Sequence, residues 1–113
     1  MNSQEVMQMA VKAAAEKRAE DIVVLDMQNI SLMADYFVIA SGSSQRQVQA
    51  IVDNITDQAS SVNHVEGQKD SPWVLVDLGD VIVHVFTPEA RDFYKIENLW
   101  SDAPVVDVTA LTE

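Results

Sequence analysis

The chain has 113 residues and no cysteine, and 48% of its residues are apolar. This length suits one compact domain, and the lack of thiols excludes disulfides, zinc–thiolate sites and thiol catalysis. Eighteen acidic residues against seven basic ones give a net charge of −11, which repels phosphate backbones and argues against direct binding to DNA or RNA.

The acidity increases along the chain. Residues 1–65 carry eight acids and four bases, whereas residues 66–113 carry ten acids and three bases. Such a surface favours a basic protein partner, although acidity that only maintains solubility explains the same composition. No apolar run approaches the roughly 20 residues that cross a bilayer, and the first residues lack the pattern of a secretory signal. These features predict a cytoplasmic protein with no membrane partner.

Two capping boxes and two β-branched runs organise the first half of the chain. In each box, Asn2 with Glu5 and Ser44 with Gln47, polar side chains satisfy free backbone N–H groups where a helix begins. Apolar residues at three- and four-residue spacing follow each box, whereas runs rich in valine and isoleucine predict strands. The predicted elements are a helix over 3–19, a strand over 21–27, a turn at 28–29, a central strand over 35–40 and a helix that ends near 60.

A valine-rich hairpin and a helix dominate the second half. The run "WVLVDLGDVIVHVF" at 73–86 predicts two strands, preceded by a short edge strand at 64–67 and a loop at 68–72. Thr87 then caps a helix with Pro88 at its first position, where a missing N–H costs nothing.

The element order predicts an α/β (α+β) fold, because α-β-β-α-β-β-β-α places helices against a single mixed β-sheet. Pro104 ends the last helix, so the predicted domain covers 1–104. The tail over 105–113 has no predicted partner and is expected to be loose.

The turn of the hairpin decides which side chains share a face. With a two-residue turn at Leu78 and Gly79, the glycine supplies the unusual backbone angle, and Asp77 then pairs with Asp80. One face, here called the valine face, is entirely valine and is expected to be core. A one-residue shift of register would exchange the two faces. The opposite face, called the tryptophan face, carries Trp73, Leu75, Asp77, Asp80, Ile82, His84 and Phe86.

Two interpretations of the tryptophan face remain open. Its apolar side chains can lie beneath a second layer of helices, since apolar strand residues usually pack. Alternatively, they form an exposed aromatic and aliphatic patch rimmed by carboxylates, which is the composition of a protein-binding hot spot.

Interpretations as an enzyme meet specific objections. Metal ligands must converge within roughly 2–2.6 Å of one ion, but His84 lies about 13 Å of strand from the turn that carries Asp77 and Asp80. The turn "SGSS" at 41–44 is similar to the Gly-Ser signature of nucleotidyltransferases, which expects an acidic pair about ten residues later. Only Asp53 is present there, so the two-metal arrangement of phosphoryl transfer cannot be built. No metal, cofactor or catalytic residue is predicted.

Three segments resemble the ribosomal silencing factor family, also called Iojap-like, over roughly residues 3–104. They are "DYFVIASGSSQRQVQAI" at 35–51, the hairpin, and "FYKIENLW" at 93–100. The most specific pattern is Trp-x-x-x-Asp-x-Gly-Asp-x-x-x-His followed by Tyr-x-x-Glu-x-x-Trp. The resemblance implies a nucleotidyltransferase-like domain without catalytic acids and a non-enzymatic function. Family members bind the large ribosomal subunit through ribosomal protein L-fourteen, block joining of the small subunit when nutrients are scarce, and form homodimers when free.

The resemblance also implies which residues bind the partner. The implied surface centres on Trp73, Asp77, Leu78 and Asp80, with Leu75, Ile82, His84, Tyr94 and Glu97 beside them. In this interpretation Trp73 supplies apolar anchor area, and the carboxylates pair with Lys or Arg of a basic partner. Tyr94 and Glu97 have a structural alternative, because a helical stripe that also holds Trp100 usually packs against a sheet. The rival functions are a residual nucleotide-binding enzyme acting at 42–43 and a homodimeric scaffold for another basic partner.

Overall fold

The structure is a computed structural model that describes residues 2–67 and 71–112. The helices are α1 (Ser3–Glu16), α2 (Gln45–Gln58), α3 (Pro88–Tyr94) and α4 (Thr109–Thr112), and a 3-10 turn spans Ile96–Asn98. The strands are β1 (Glu20–Asp26), β2 (Tyr36–Ser41), β3 (His64–Glu66), β4 (Trp73–Asp77), β5 (Val81–Phe86) and β6 (Val105–Val106). The first three residues of the predicted loop at 68–72 lie outside the described part. No helix in the described ranges is long and apolar enough to cross a bilayer.

The six strands form one mixed sheet in the order β3-β4-β5-β2-β1-β6. The central strands β2 and β5 run parallel, and the other neighbouring strands are antiparallel. This position suits β2, because a strand that is apolar on both faces needs cover on both sides. The predicted single mixed sheet with packed helices is confirmed.

Helices α1 and α2 cover the valine face of the sheet. Apolar residues of both helices share a core cluster with this face, and every valine of the predicted set is buried: Val74, Val76, Val81, Val83 and Val85. The valine face is therefore core, as predicted. This packing directs the tryptophan face to the opposite side of the molecule.

The capping residues open the helices, with one difference from the prediction. Asn2 and Glu5 form the full capping box of α1. At α2, the Ser44 hydroxyl accepts from the Gln47 N–H at 3.1 Å, but the Gln47 side chain accepts from Ser43 instead of from Ser44. The second box is thus only half formed.

The hairpin turn lies one residue later than predicted. Gly79 and Asp80 form it, and Gly79 has a φ of +99°, which glycine adopts without strain. Asp77 consequently pairs with Ile82 rather than with Asp80. Its Oδ1 accepts from the Gly79 N–H at 2.8 Å, a local bond that favours this turn. The cross-strand partner moves by two positions, so the strand residues keep their predicted faces, whereas Asp80 leaves the strand ladder and lies in the turn.

The last helix is shorter than predicted. It ends at Tyr94 because Lys95 adopts the left-handed conformation, with φ 47° and ψ 48°. The 3-10 turn then redirects the chain, and an ion pair between Arg91 Nη2 and Glu97 Oε2, 2.8 Å long, spans the break. The first helix likewise ends at Glu16 rather than 19.

Residues 105–112 are packed, which corrects the expectation of a loose tail. Val105 and Val106 pair with β1 at the edge of the sheet. Val108 is buried in the core cluster and Leu111 packs against it, so α4 lies beside α1. The partner of this segment is about 80 residues earlier in the chain, and the local sequence therefore gives no sign of it.

Candidate functional site

The tryptophan face is covered at one end and open at the other. At the covered end, Phe86 lies beneath α3 and the 3-10 turn, in a second core cluster that also contains Ile96. Towards the hairpin turn, Leu75 and Ile82 are half-buried and Asp80 is exposed. The interpretation with a helical cover therefore holds for one end of this face, and the other end is partly accessible to solvent.

Trp73 lies at the boundary between the two parts and is held in place by other aromatic rings. Its indole is half-buried and stacks on Phe86, with ring centroids 5.1 Å apart, while the Tyr94 ring lies 4.9 Å away. Its Nε1 donates to His84 Nδ1 at 3.2 Å. The indole is thus fixed in one orientation while part of it still reaches solvent.

His84 lies under the surface rather than on it. Only 5% of the residue is exposed, and its ring contacts Phe37 edge-on at 5.2 Å. Burial lowers the pKa of the imidazole to about 4, so the ring is neutral at physiological pH. Since Nδ1 accepts from Trp73, the ring proton is on Nε2, which has no partner among the described residues.

The carboxylates of Asp77 and Asp80, here called the tip carboxylates, lie at the end of the sheet. Asp77 is half-buried and Asp80 exposed, and the sequence has no Lys or Arg between residues 71 and 90. Leu78, predicted in the same surface, is only 7% exposed because its side chain joins the core cluster on the valine face. In the ranges 2–67 and 71–112, no three His, Asp or Glu side chains converge as metal ligands.

Tyr94 and Glu97 do not continue one helical stripe, because the chain breaks at Lys95 between them. Tyr94 is exposed, and its ring extends the aromatic surface from Trp73. The Glu97 carboxylate is bound by Arg91, whose Nη1 also donates to the Ser41 hydroxyl at 2.9 Å. The structure therefore gives Glu97 an internal partner and leaves Tyr94 on the surface.

Three features of this surface were missed in the sequence. Phe37 of β2 is half-buried beside Ile82, and its ring meets Trp100 edge-on at 4.9 Å. A depression of about 240 Å³ lies beside Trp73 and is lined by Glu66, Gly67, Trp73 and Leu75. Phe93, next to Tyr94, is largely exposed. Phe37 was detectable from the alternation of β2, whereas the depression depends on the pairing of β3 with β4.

Several groups that could bind phosphate near the "SGSS" turn are already engaged. Gln47 Oε1 accepts from both the N–H and the hydroxyl of Ser43, and the Ser44 hydroxyl caps α2. A Cβ at Gly42 would lie 2.9 Å from the Val48 nitrogen, so the glycine is required by close packing. The geometry of this turn is that of a helix start tied to its neighbours.

Comparison with known proteins identifies clear relatives. A family model described as "Ribosomal silencing factor during starvation" matches residues 1–113. The "Ribosomal silencing factor RsfS" of Bacillus subtilis (strain 168) is 51% identical over 112 residues, covering 96% of this chain and 95% of that protein. A more distant relative is "Mitochondrial assembly of ribosomal large subunit protein 1" of Mus musculus, 31% identical over 82% of this chain and 44% of that protein. The crystal structure of protein CV0518 from Chromobacterium violaceum superposes with a TM-score of 0.85 and 36% identity, covering 89% of this chain and 88% of that one.

Proposed function

The chain belongs to the ribosomal silencing factor family, and from this premise we propose that it represses translation by binding the large ribosomal subunit. The proposed contact is ribosomal protein L-fourteen, and the bound protein blocks joining of the small subunit when nutrients are limiting. The similar proteins are named as silencing factors and not as enzymes, and the mouse relative is named for the large subunit. Both names support a non-enzymatic role on that subunit.

The observation that carries the proposal is a fixed, half-buried indole with the tip carboxylates on the order of 13 Å away along the hairpin. Trp73 is oriented by His84 and Phe86 before any partner arrives, so little side-chain entropy is lost on binding. Aromatic anchors of this kind dominate the energy of protein interfaces, and carboxylates around them pair with Lys or Arg. A basic ribosomal protein matches both features and also the net charge of −11.

The predicted site residues divide into two groups in this proposal. The residues that contact the partner are Trp73, Leu75, Asp77, Asp80, Ile82 and Tyr94. The buried or internally paired residues, Leu78, His84 and Glu97, support that surface from behind: His84 orients the indole and Glu97 fixes the break after α3. Substitutions in the second group are expected to act through stability or through orientation of the first group.

Co-sedimentation with purified large subunits tests the proposal. Trp73→Ala and Asp80→Lys are each expected to weaken binding by about tenfold or more, because an aromatic anchor and a charge partner are lost. Glu89→Lys makes the same charge change at an exposed position on α3, away from the hairpin turn, and is expected to keep most of the affinity.

Thermal unfolding of each variant separates a binding defect from misfolding. If folded Trp73→Ala and Asp80→Lys proteins bind large subunits like the parent, the tryptophan face is not the binding site.

A further inference from the structure

The loop between β1 and β2 exposes a group of apolar side chains beside the proposed site. Residues 28–34, here called the apolar loop, include Ile30, Leu32 and Met33, which are 43%, 106% and 84% exposed. Single apolar residues are common on protein surfaces, but three within four positions form a patch that usually has a partner. The sequence predicts only a short turn at 28–29, so this patch was not anticipated.

Hydrogen bonds hold the apolar loop in one shape. The Met27 N–H donates to the Asp35 carbonyl at 2.8 Å, and the Ser31 N–H donates back to the Met27 carbonyl at 2.8 Å. The Met33 N–H donates to the Ser31 hydroxyl at 3.0 Å. Because Met27 and Ala34 at the two ends are buried, the loop is anchored while Leu32 and Met33 point away from its anchors.

The apolar loop adjoins the hairpin turn directly. The Asp35 N–H donates to the Asp80 carbonyl at 2.6 Å, and the Tyr36 N–H shares that acceptor at 3.3 Å. The exposed methylene and thioether groups therefore lie at the same end of the sheet as the tip carboxylates.

The charge around the loop has one sign. Asp26 and Asp35 border it, the tip carboxylates lie beside it, and the sequence has no Lys or Arg between residues 19 and 45. Such a border repels anionic lipid. It also repels the same surface on a second copy of this chain, because both carry the same acids. A basic protein surface with an apolar recess complements both the charge and the side chains.

We infer that the apolar loop is a second contact with the same basic large-subunit protein that the tryptophan face binds. Leu32 and Met33 enter an apolar recess of that partner, and lysine or arginine side chains at its border meet Asp35 and Asp80. This inference rests on the proposed function, because it takes the partner from there. Two separated apolar anchors with acids between them also fix the orientation of the bound protein, which one anchor alone leaves free to rotate.

A double variant with a matched control tests the inference. Leu32→Ser/Met33→Ser removes the apolar surface, and Leu32→Met/Met33→Leu exchanges the two residues while keeping it. In binding to purified large subunits, the serine variant is expected to lose about tenfold or more in affinity, and the exchanged variant to stay within about twofold of the parent. Both variants are expected to keep the parent's melting temperature, since these side chains are exposed.

Parallel measurements separate this inference from the proposed function. Loss of binding in Trp73→Ala together with parent-like binding of the serine variant overturns the loop contact and leaves the proposed function standing. Parent-like binding of both overturns both. Sedimentation equilibrium tests whether the loop binds a second copy of the chain, and flotation with vesicles of neutral or anionic lipid tests whether it binds a membrane. If the serine variant loses self-association or vesicle binding but keeps subunit binding, the loop has a different partner and the inference is overturned.

Discussion

At the scale of single residues, the imidazole of His84 has two roles at once. It fills space between the aromatic rings of the tryptophan face, and its Nδ1 accepts a hydrogen bond from the indole N–H of Trp73. Both roles need the neutral ring, which burial favours. The orientation of the half-buried Trp73 indole therefore depends on the protonation state of a residue beneath it.

This burial predicts a pH dependence of stability. The folded-state pKa of His84, about 4, is below its ordinary value of 6.5, so between these values the unfolded chain binds a proton that the folded protein excludes. This difference in proton binding leaves the free energy of unfolding unchanged above pH 6.5. As the pH falls towards 4, it lowers the free energy of unfolding by about 3 kcal/mol. Urea unfolding measures the free energy of unfolding at pH 7 and at pH 4. The decrease between the two pH values should be smaller for His84→Gln than for the parent by about that amount.

His64→Gln is the matched control, because the His64 ring is exposed on β3. Every other ionisable group except the substituted one is common to the variants, so only the difference between variants is informative. Equal decreases in the free energy of unfolding for the parent and His84→Gln would mean that folded protein and unfolded chain bind a proton on His84 equally well, which would contradict the prediction.

At the scale of elements, the final segment completes the sheet. Strand β6 pairs with the edge of β1. Val108 and Leu111 pack against the core cluster that contains the apolar residues of α1. Val108→Asp places a carboxylate in this contact and is expected to lower the free energy of unfolding by about 2 kcal/mol or more. Val105→Asp, at an exposed position three residues earlier, should change it by about 0.5 kcal/mol or less. Urea unfolding compares the two, and equal small effects would show that the segment contributes no packing.

The same scale shows how far local sequence determines structure. Capping residues and β-branched runs locate α1, α2 and the main strands within a few residues, because these signals are local. The turn was placed one residue early because Leu78-Gly79 and Gly79-Asp80 both suit a two-residue turn. The break at Lys95 escaped prediction because lysine, unlike glycine, gives no signal for a left-handed helix end.

The candidate site shows a similar limit. The composition of the tryptophan face follows from strand alternation, so Trp73, Asp77 and Asp80 could be selected in advance. Their exposure could not, because it depends on how far α3 and the 3-10 turn extend over the sheet. Leu32 and Met33 carry no periodic signal in the sequence, and only the fold places them beside the hairpin turn.

At the scale of the whole molecule, the charge of −11 acts at a distance from the contacts. A strongly acidic protein is attracted to a basic partner before the two touch, and dissolved salt screens that attraction beyond about 8–10 Å. Raising the salt concentration from about 50 to about 200 mM is therefore expected to slow association with the isolated basic partner protein roughly tenfold, while dissociation changes little. Stopped-flow or surface-based kinetics can measure the two rates separately. A change confined to dissociation would show that the distant acids contribute no steering.

The hydrogen bonds between the apolar loop and the hairpin turn affect which substitutions the protein can accept. Asp80 accepts the two N–H groups through its main-chain oxygen, which every amino acid possesses. Its side chain makes neither of these bonds, so replacement at this position is expected to change the proposed partner contact while the hydrogen bonds between loop and turn stay the same. At Asp80 the main-chain oxygen stabilises the fold, whereas the exposed side chain belongs to the proposed contact, so the two can vary independently.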